Sequence, residues 1–244
     1  IGILLIVMAA MAIFIQKKTI ATSGNIIENI DTQNDSDKNA NKINIDKSTG
    51  GTSETTQNKN TKQEENLKGV IYLTFDDGPS LDTTPKILDI LKEEDVKATF
   101  FLLNYEKNKE DLVKREVEEG HSVGIHGYSH QYKEIYKSEE TYMENINKLQ
   151  AKIQDTTGIK TTITRFPGGS SNTISRFNKN IMTKLTKIVE ENGYKYYDWN
   201  IDSEDAGCAK NEKDVYKNVT DNLSLKRANV VLMHDFANND KTID

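Results

Sequence analysis

Cysteine is nearly absent from this sequence of 244 residues: Cys208 stands alone, so no internal disulfide can form. That scarcity does not assign the chain to the cytosol, because many exported bacterial proteins dispense with cysteine, and one thiol alone offers no reactive site. Excess positive charge is missing too. The net charge is −6 and the lysines alternate with acids along helical patterns, as on a solvated face, which leaves no basic stripe for a nucleic-acid backbone and excludes that partner. Aromatic residues are absent from residues 19–66, a stretch of Asn, Asp, Thr, Ser and Lys that cannot bury enough surface to offset its chain entropy. Proline occurs three times, at Pro79, Pro85 and Pro167, all beyond that stretch.

Three segments follow from these shifts in composition. Residues 1–18, "IGILLIVMAAMAIFIQKK", open with fifteen residues free of charged or polar side chains, which marks a signal or transmembrane anchor. At about 1.5 Å per helical residue the run is short for a hydrocarbon layer of roughly 30 Å, and the chain begins at Ile1, so the expected start lies upstream. A buried core helix is the ordinary alternative, but the polar segment behind it gives it nothing to pack against. Residues 19–66 are expected to be a disordered tether, and residues 67–244 the folded domain.

Within that domain, six β-rich runs alternate with amphipathic stretches: "VIYLTF", "ATFFLL", "HSVGIH", "TTITRF", "YKYYDWNI" and "VVLMH". "TPKILDILKEE" places Ile87, Leu88 and Leu91 on one helical face behind Pro85. Three further helical patterns end at Gly120, Gly158 and Gly193, where a helix stop needs glycine. Strict alternation implies parallel strands with crossover helices. The unusual polar residues, Asp76 and Asp77, His126, Arg165, Asp202 and Asp205, and His234, all fall at C-terminal strand ends. An open doubly wound sheet gathers ligands at one switch point; polar groups spread over five strand ends favour a parallel α/β barrel.

"TFDDGP" sets two carboxylates side by side, and adjacent strand residues point to opposite faces. They share a pocket only if the chain leaves strand geometry there, a departure expected from Gly78 and Pro79. An acidic turn is the ordinary reading of such a tetrapeptide. "HGYSH" spaces His126 and His130 at i and i+4, a frequent metal-ligand spacing that also arises by chance. Zinc peptidases with such a pair carry Glu after the first His; here that residue is Gly127, so a base must come from elsewhere. The two aspartates meet the need, one completing a two-His, one-Asp set with room for water and the other taking that water's proton.

Taken together, "TFDDGP", "HGYSH", "RFPGG", "DWNIDSEDA" and "VLMHD" resemble, in order, the five motifs of the polysaccharide deacetylases of the NodB-homology type, carbohydrate esterase family four. The likeness runs from Lys68 to the end of the chain. It implies a distorted parallel (β/α) barrel, a divalent metal, most often Zn2+, on Asp77, His126 and His130, and Asp76 as general base with Arg165 paired to it. It implies His234 as general acid oriented by Asp205, a backbone N–H near Gly168 for the oxyanion, and Leu232 against the acetyl methyl group. The implied substrate is a polysaccharide, N-acetylglucosamine in peptidoglycan or a chitin-like glycan, met by a monomeric catalytic domain tethered to the membrane or secreted into the bacterial wall.

Departures from the family pattern are Gly127 for Ser or Thr and Gln131 for Pro, the first removing a hydrogen bond behind the metal ligand and the pair implying weaker metal binding, and Gly168 for an aromatic residue and Ala206 for a tryptophan of the groove wall, which imply a wider groove. The family pattern also places a helix and a closing strand beyond the last ten residues after His234, so the domain is expected to be incomplete at its C-terminus. Three other functions fit part of the pattern: an O-acetyl esterase on a xylan-like polymer, a wall-glycan binding module without catalysis, and a non-haem iron oxygenase, in which Asp76 would have no purpose. Outside the motifs, His121 reads as structural, Asp202 as a loop brace and Trp199 as a packed wall.

Overall fold

The computed structural model describes residues 67–237 together with Asn239 and Thr242. The expected anchor and tether lie outside the described residues. Among those described, no helix is long and apolar enough to cross a membrane. Seven strands form one parallel sheet: β1 (Ile71–Asp76), β2 (Thr99–Leu103), β3 (Ser122–Gly127), β4 (Ile163–Thr164), β5 (Lys195–Tyr196), β6 (Ile201–Asp202) and β7 (Asn229–His234). Their order is β5-β4-β3-β2-β1-β7-β6. The crossovers carry α1 (Thr84–Glu93), α2 (Glu110–Glu118), α3 (Tyr132–Ile135), α4 (Glu139–Thr157), α5 (Ile181–Glu191) and α6 (Glu212–Thr220).

Local chemistry explains the main elements. Strand β1 is central, bonded to β2 on one side and β7 on the other, and it carries the near-continuous apolar run that a strand buried on both faces requires. Pro85 opens α1 within its first turn, and Ile87, Leu88 and Leu91 are fully buried. Ser138 caps α4 by accepting from the Thr141 N–H at 3.2 Å. The three expected stop glycines, Gly120, Gly158 and Gly193, all adopt φ near +80° (82°, 78° and 83°), a conformation closed to most side chains.

One expectation changes. "YKYYDWNI" is not a single strand: it begins as β5 at one edge of the sheet and ends as β6 at the other. A flat seven-stranded sheet would hold its edges about 29 Å apart, whereas the chain from Tyr196 to Ile201 reaches about 18 Å at full extension. The sheet must therefore curl until its edges nearly meet, and residues 197–200 bridge the seam. Tyr197 N–H donates to Thr164 O at 3.0 Å on one edge, and Asn200 N–H to Val230 O at 3.1 Å on the other. The result is the distorted parallel barrel expected from the sequence, closed by a strap instead of a ladder.

Stacked rings support the histidine end of the barrel. Tyr132, Tyr136, Tyr142, Phe166 and Tyr196 form a chain of contacts with centroids 5.1 to 6.3 Å apart, running from α3 through α4 to β5. Tyr136 also donates to Pro167 O at 2.7 Å, so one buried ring fixes both the histidine loop and the "PGG" turn.

Candidate active site

Register places the first pair. Asp76 ends β1 directly opposite His234 at the end of β7, so both side chains leave the same face of the sheet. Asp77 joins them because its own φ is 74°: the departure from strand geometry lies at this aspartate, not at Gly78 and Pro79 as the sequence led one to expect. Gly78 has a different duty. A Cβ there would lie 2.5 Å from Asp235 Oδ2, so glycine is needed for the close approach of the strand-end acid below it. Between β2 and β3 the register shifts, Leu102 facing Ile125 and Leu103 facing Gly127, so His126 is the extra residue of an irregularity in β3.

The three expected ligands converge. Asp77 Oδ1 lies 3.5 Å from His126 Nε2 and 3.8 Å from His130 Nε2, and one donor atom from each residue lies within 4.8 Å of the others. Two atoms each about 2.0–2.2 Å from a tetrahedral centre sit roughly 3.3–3.6 Å apart, close to the spacing seen. His126 Nδ1 is 2.9 Å from the Arg165 carbonyl, which can only accept, so Nδ1 carries the proton and the Nε2 lone pair faces Asp77. Burial drives His126 down to about 3, against the pull of Asp77, so the ring is neutral. Asp77 Oδ1 is itself buried with no hydrogen-bond partner among the described residues. The His126 Nε2 lone pair and Asp77 Oδ1 therefore face one another with no proton between them, and with His130 Nε2 alongside, the donor set fits a divalent metal.

Asp76 borders that gap. Its Oδ2 lies 3.8 Å from His126 Nε2, while its Oδ1 accepts from Arg165 Nη1 at 2.8 Å. Burial raises its pKa; Arg165 first and then His234 oppose the rise. Arg165 is fully buried and does more than pair with this acid. It donates from Nη1 to Thr74 Oγ1 at 2.7 Å and from Nε to Tyr197 O at 2.9 Å, and it lies 4.2 Å over the Phe101 ring. One guanidinium thus ties β1 to the strap that closes the barrel.

Opposite stands His234. Its Nδ1 lies 2.8 Å from Asp205 Oδ1, and its backbone N–H donates to Asp205 Oδ2 at 2.7 Å. Burial alone would lower the imidazole, but the Asp205 carboxylate outweighs it and raises His234 to about 9. Asp205 is buried, which pushes it up, yet its bonds to His234 and Thr242 hold it at about 2. Asn239 Nδ2 and Thr242 Oγ1 donate to its Oδ2 at 2.8 and 2.5 Å, and Ser203 Oγ and the Ala206 N–H to its Oδ1 at 3.0 and 2.9 Å.

The pocket over these groups is also lined by Tyr132, Gly168, Trp199, Asp202, Glu204 and Leu232. Gly168 and Leu232 are thus at the wall where the resemblance puts them. Trp199 packs on Gly169, whose added Cβ would meet its ring at 3.2 Å, so it is both a packed residue and a wall. Asp202 Oδ1 accepts from Glu204 N–H at 2.8 Å as a loop brace. His121 lies apart, accepting from Ala98 N–H at 3.2 Å on Nδ1.

Several positioning residues escaped the sequence reading. Asn145 on α4 accepts from Ser129 N–H at 2.7 Å and so pins the loop between the two histidines. It shares the buried face of α4 with Tyr142, Ile146 and Leu149, and a polar residue on an apolar stripe was the signal that could have found it. Its amide also explains Gly127: with φ at 154°, an added Cβ would lie 2.6 Å from Asn145 Nδ2. Tyr132, at the pocket wall, had no motif to announce it. Asp235, fully buried and held by Thr84 Oγ1 at 2.6 Å, stood in plain view in "VLMHD" without a role.

A family profile described as Polysaccharide deacetylase matches residues 63–197. The peptidoglycan-N-acetylglucosamine deacetylase of Bacillus cereus is 39% identical over 176 residues, covering 68% of this chain and 59% of that protein. PgdA of Listeria monocytogenes, a protein of the same name, is 39% identical over 171 residues, covering 68% of this chain and 32% of that protein. The chain thus spans less than two thirds of the length of either relative. Among solved structures, the catalytic domain of a peptidoglycan N-acetylglucosamine deacetylase from Eubacterium rectale superposes with a TM-score of 0.68 at 38% identity, covering 72% of this chain and 80% of that one.

Proposed function

Since the chain belongs to the polysaccharide deacetylase family, we propose that it hydrolyses N-acetyl groups on a cell-wall polysaccharide, the N-acetylglucosamine residues of peptidoglycan in the first place. One observation carries the reading: the converging donor atoms of Asp77, His126 and His130 stand between a buried acid, Asp76, and a histidine whose pKa the Asp205 carboxylate raises, His234. Amide hydrolysis needs both flanking groups, because water is a weak nucleophile and an amide nitrogen leaves poorly until protonated.

Asp77, His126 and His130 would hold the divalent metal, with zinc favoured by one carboxylate and two imidazoles. When bound, it supplies Lewis acidity to the attacking water and to the acetyl carbonyl. Asp76 Oδ2 takes the proton of that water, and Arg165, bonded to Oδ1, opposes the rise that burial imposes on this acid and aims it. As the carbonyl carbon–nitrogen bond breaks, His234 gives its proton to the nitrogen, and Asp205 holds the ring for that transfer. Acetate and a free sugar amine result. Gly168 and Leu232 line the pocket, and in this reading the Gly168 backbone N–H receives the developing oxyanion and Leu232 the methyl group. The apolar residues 1–18 and the polar residues 19–66 suit an anchored domain reaching an extended wall polymer.

The test is acetate release from N-acetylated peptidoglycan fragments by the purified chain with zinc. Release that stops on chelation and falls by about 10³-fold or more in Asp77→Ala, a loss of roughly 4 kcal/mol of transition-state stabilisation, is the expected result. Acetate from acetylxylan alone would move the reading to an ester substrate, and none from any glycan would leave a binding module.

A further inference from the structure

The pocket does not end at its rim. Three residues meet beside Gly168: an added Cβ on that glycine would lie 3.4 Å from Asn172 Cβ, 3.6 Å from Tyr132 Cε1 and 3.6 Å from Ile174 Cδ1. Tyr132 lines the catalytic pocket, lies edge-on to His130 at 4.9 Å, and stacks at 6.3 Å on Tyr136, which is fully buried. Ile174 begins a 3₁₀ turn, Ile174–Phe177, which brings the fourth residue back over the first, since side chains at i and i+3 eclipse. Ile174 is 48% exposed and Phe177 52%, so an apolar strip leads away from the pocket mouth into solvent.

This strip is held in place and is not a slack loop. Asn178 Nδ2 donates to Tyr136 O at 3.0 Å and to Lys137 O at 2.9 Å. Asn172 Nδ2 donates to Gly169 O at 2.8 Å while its Oδ1 accepts from Ser175 N–H at 3.0 Å. Exposed apolar side chains on a rigid frame, continuous with a polar reaction pocket, mark a contact surface. A pyranose ring whose hydroxyls are equatorial offers C–H groups on its faces, and aromatic and aliphatic side chains cover such faces well.

We infer that Tyr132, Ile174 and Phe177 form a ledge on which a neighbouring sugar of the same glycan chain rests while the acetamide of the first enters the pocket, which makes the enzyme select polymer over short fragments. The inference rests on the proposed deacetylation and deepens it. Gly168, at φ 76°, turns the chain between the pocket wall and this ledge.

Steady-state kinetics on N-acetylglucosamine dimers and hexamers, run with wild type, Tyr132→Ala, Ile174→Ser and the double variant, test it. Each single variant is expected to raise KM for the hexamer about fivefold with a much smaller change in kcat, as loss of one stacking or apolar contact of roughly 1 kcal/mol would. Tyr132→Phe restores the wild-type KM, and the double variant loses most of the hexamer preference. Because Tyr132 touches His130, zinc content is measured in every variant, and the exposed Ile174→Ser isolates the ledge from the metal. Hexamer binding by calorimetry to chelated protein gives a readout independent of turnover. If wild type releases no acetate, the proposed function fails while the calorimetry still decides the ledge. An unchanged hexamer preference and unchanged binding in the double variant would overturn it, as would self-association of the wild type abolished by Ile174→Ser with glycan binding intact.

Discussion

His126 and His234 flank the same buried aspartate, and the fold treats them in opposite ways. Each has its Nδ1 satisfied within 3 Å, His126 by the Arg165 carbonyl at 2.9 Å and His234 by the Asp205 carboxylate at 2.8 Å. A carbonyl fixes the tautomer but adds no charge, so burial wins and His126 falls to about 3; a carboxylate adds charge, so burial loses and His234 rises to about 9. The gap between them is produced by the partner of one nitrogen. A third histidine serves as the control: His121, buried and accepting from a backbone N–H on Nδ1, is lowered to about 4 by burial first and Lys97 second. Imidazole in this fold becomes a ligand or an acid according to what its far nitrogen meets.

Asp205→Asn breaks that contrast most sharply. It removes the charge beside His234 Nδ1 and returns the imidazole toward its ordinary 6.5. Loss of a competent general acid lowers acetate release by about 10²–10⁴-fold near neutral pH. The pH–rate profile carries the more specific signature. In the wild type, activity falls as pH rises through about 9, and in the variant the same limb moves down toward 6.5. Stability follows the same sign: the raised His234 stabilises the fold fully below about 6.5 and loses that contribution as pH rises through about 9, so thermal unfolding of the variant should lack this alkaline decline. A limb that stays in place would show that another group donates the proton.

What the sequence made legible follows from period and position. Alternating strand and helix patterns, with Asp76, His126, Arg165 and His234 at strand ends, were enough for a parallel barrel with one polar mouth, because side-chain direction in a strand is fixed by geometry. The seam was not legible. Eight residues of β character at 194–201 read as one strand, and only the strand order, a long-range property, shows that they cross from edge to edge. Asp77 turning by its own positive φ was hidden behind the stronger signals of Gly78 and Pro79. Asn145, Asn239 and Thr242 act through side-chain hydrogen bonds to a loop or to Asp205, and bonds between residues far apart in sequence leave no periodic trace.

A smaller effect tests the His126 side of the comparison. Family resemblance would recommend Gly127→Ser to supply a hydroxyl next to the ligand. The structure predicts the reverse: φ at 154° disfavours a side chain, and its Cβ would press on Asn145 Nδ2 at 2.6 Å and on Ser129 O at 2.9 Å. A cost of about 1–3 kcal/mol in chemical denaturation is expected, with zinc affinity reduced because the strained loop carries both histidines. Asn145→Ala should lower zinc affinity by about 10-fold or more through the freed Ser129 N–H, with the fold retained. A stabilised Gly127→Ser would mean that the loop re-forms around the new side chain.

The weakest effect applies the same contrast to carboxylates. Asp205 collects donors from His234, Asn239 and Thr242 and is held at about 2. Glu116 on α2 is equally buried, but neither of its oxygens has a hydrogen-bond partner among the described residues, and burial, with Asp235 adding to it, raises its pKa well above the ordinary value. A carboxyl raised on folding stabilises the native state below its unfolded pKa of about 4.5 and loses that contribution as pH climbs through the folded value. Glu116→Gln keeps the shape without the charge. It should therefore leave the melting temperature nearly unchanged at pH 4 and raise it at pH 8, by a few degrees for about 1 kcal/mol. A gain independent of pH would assign the effect to packing, and a loss at pH 8 would mean that ionised Glu116 has a partner it needs.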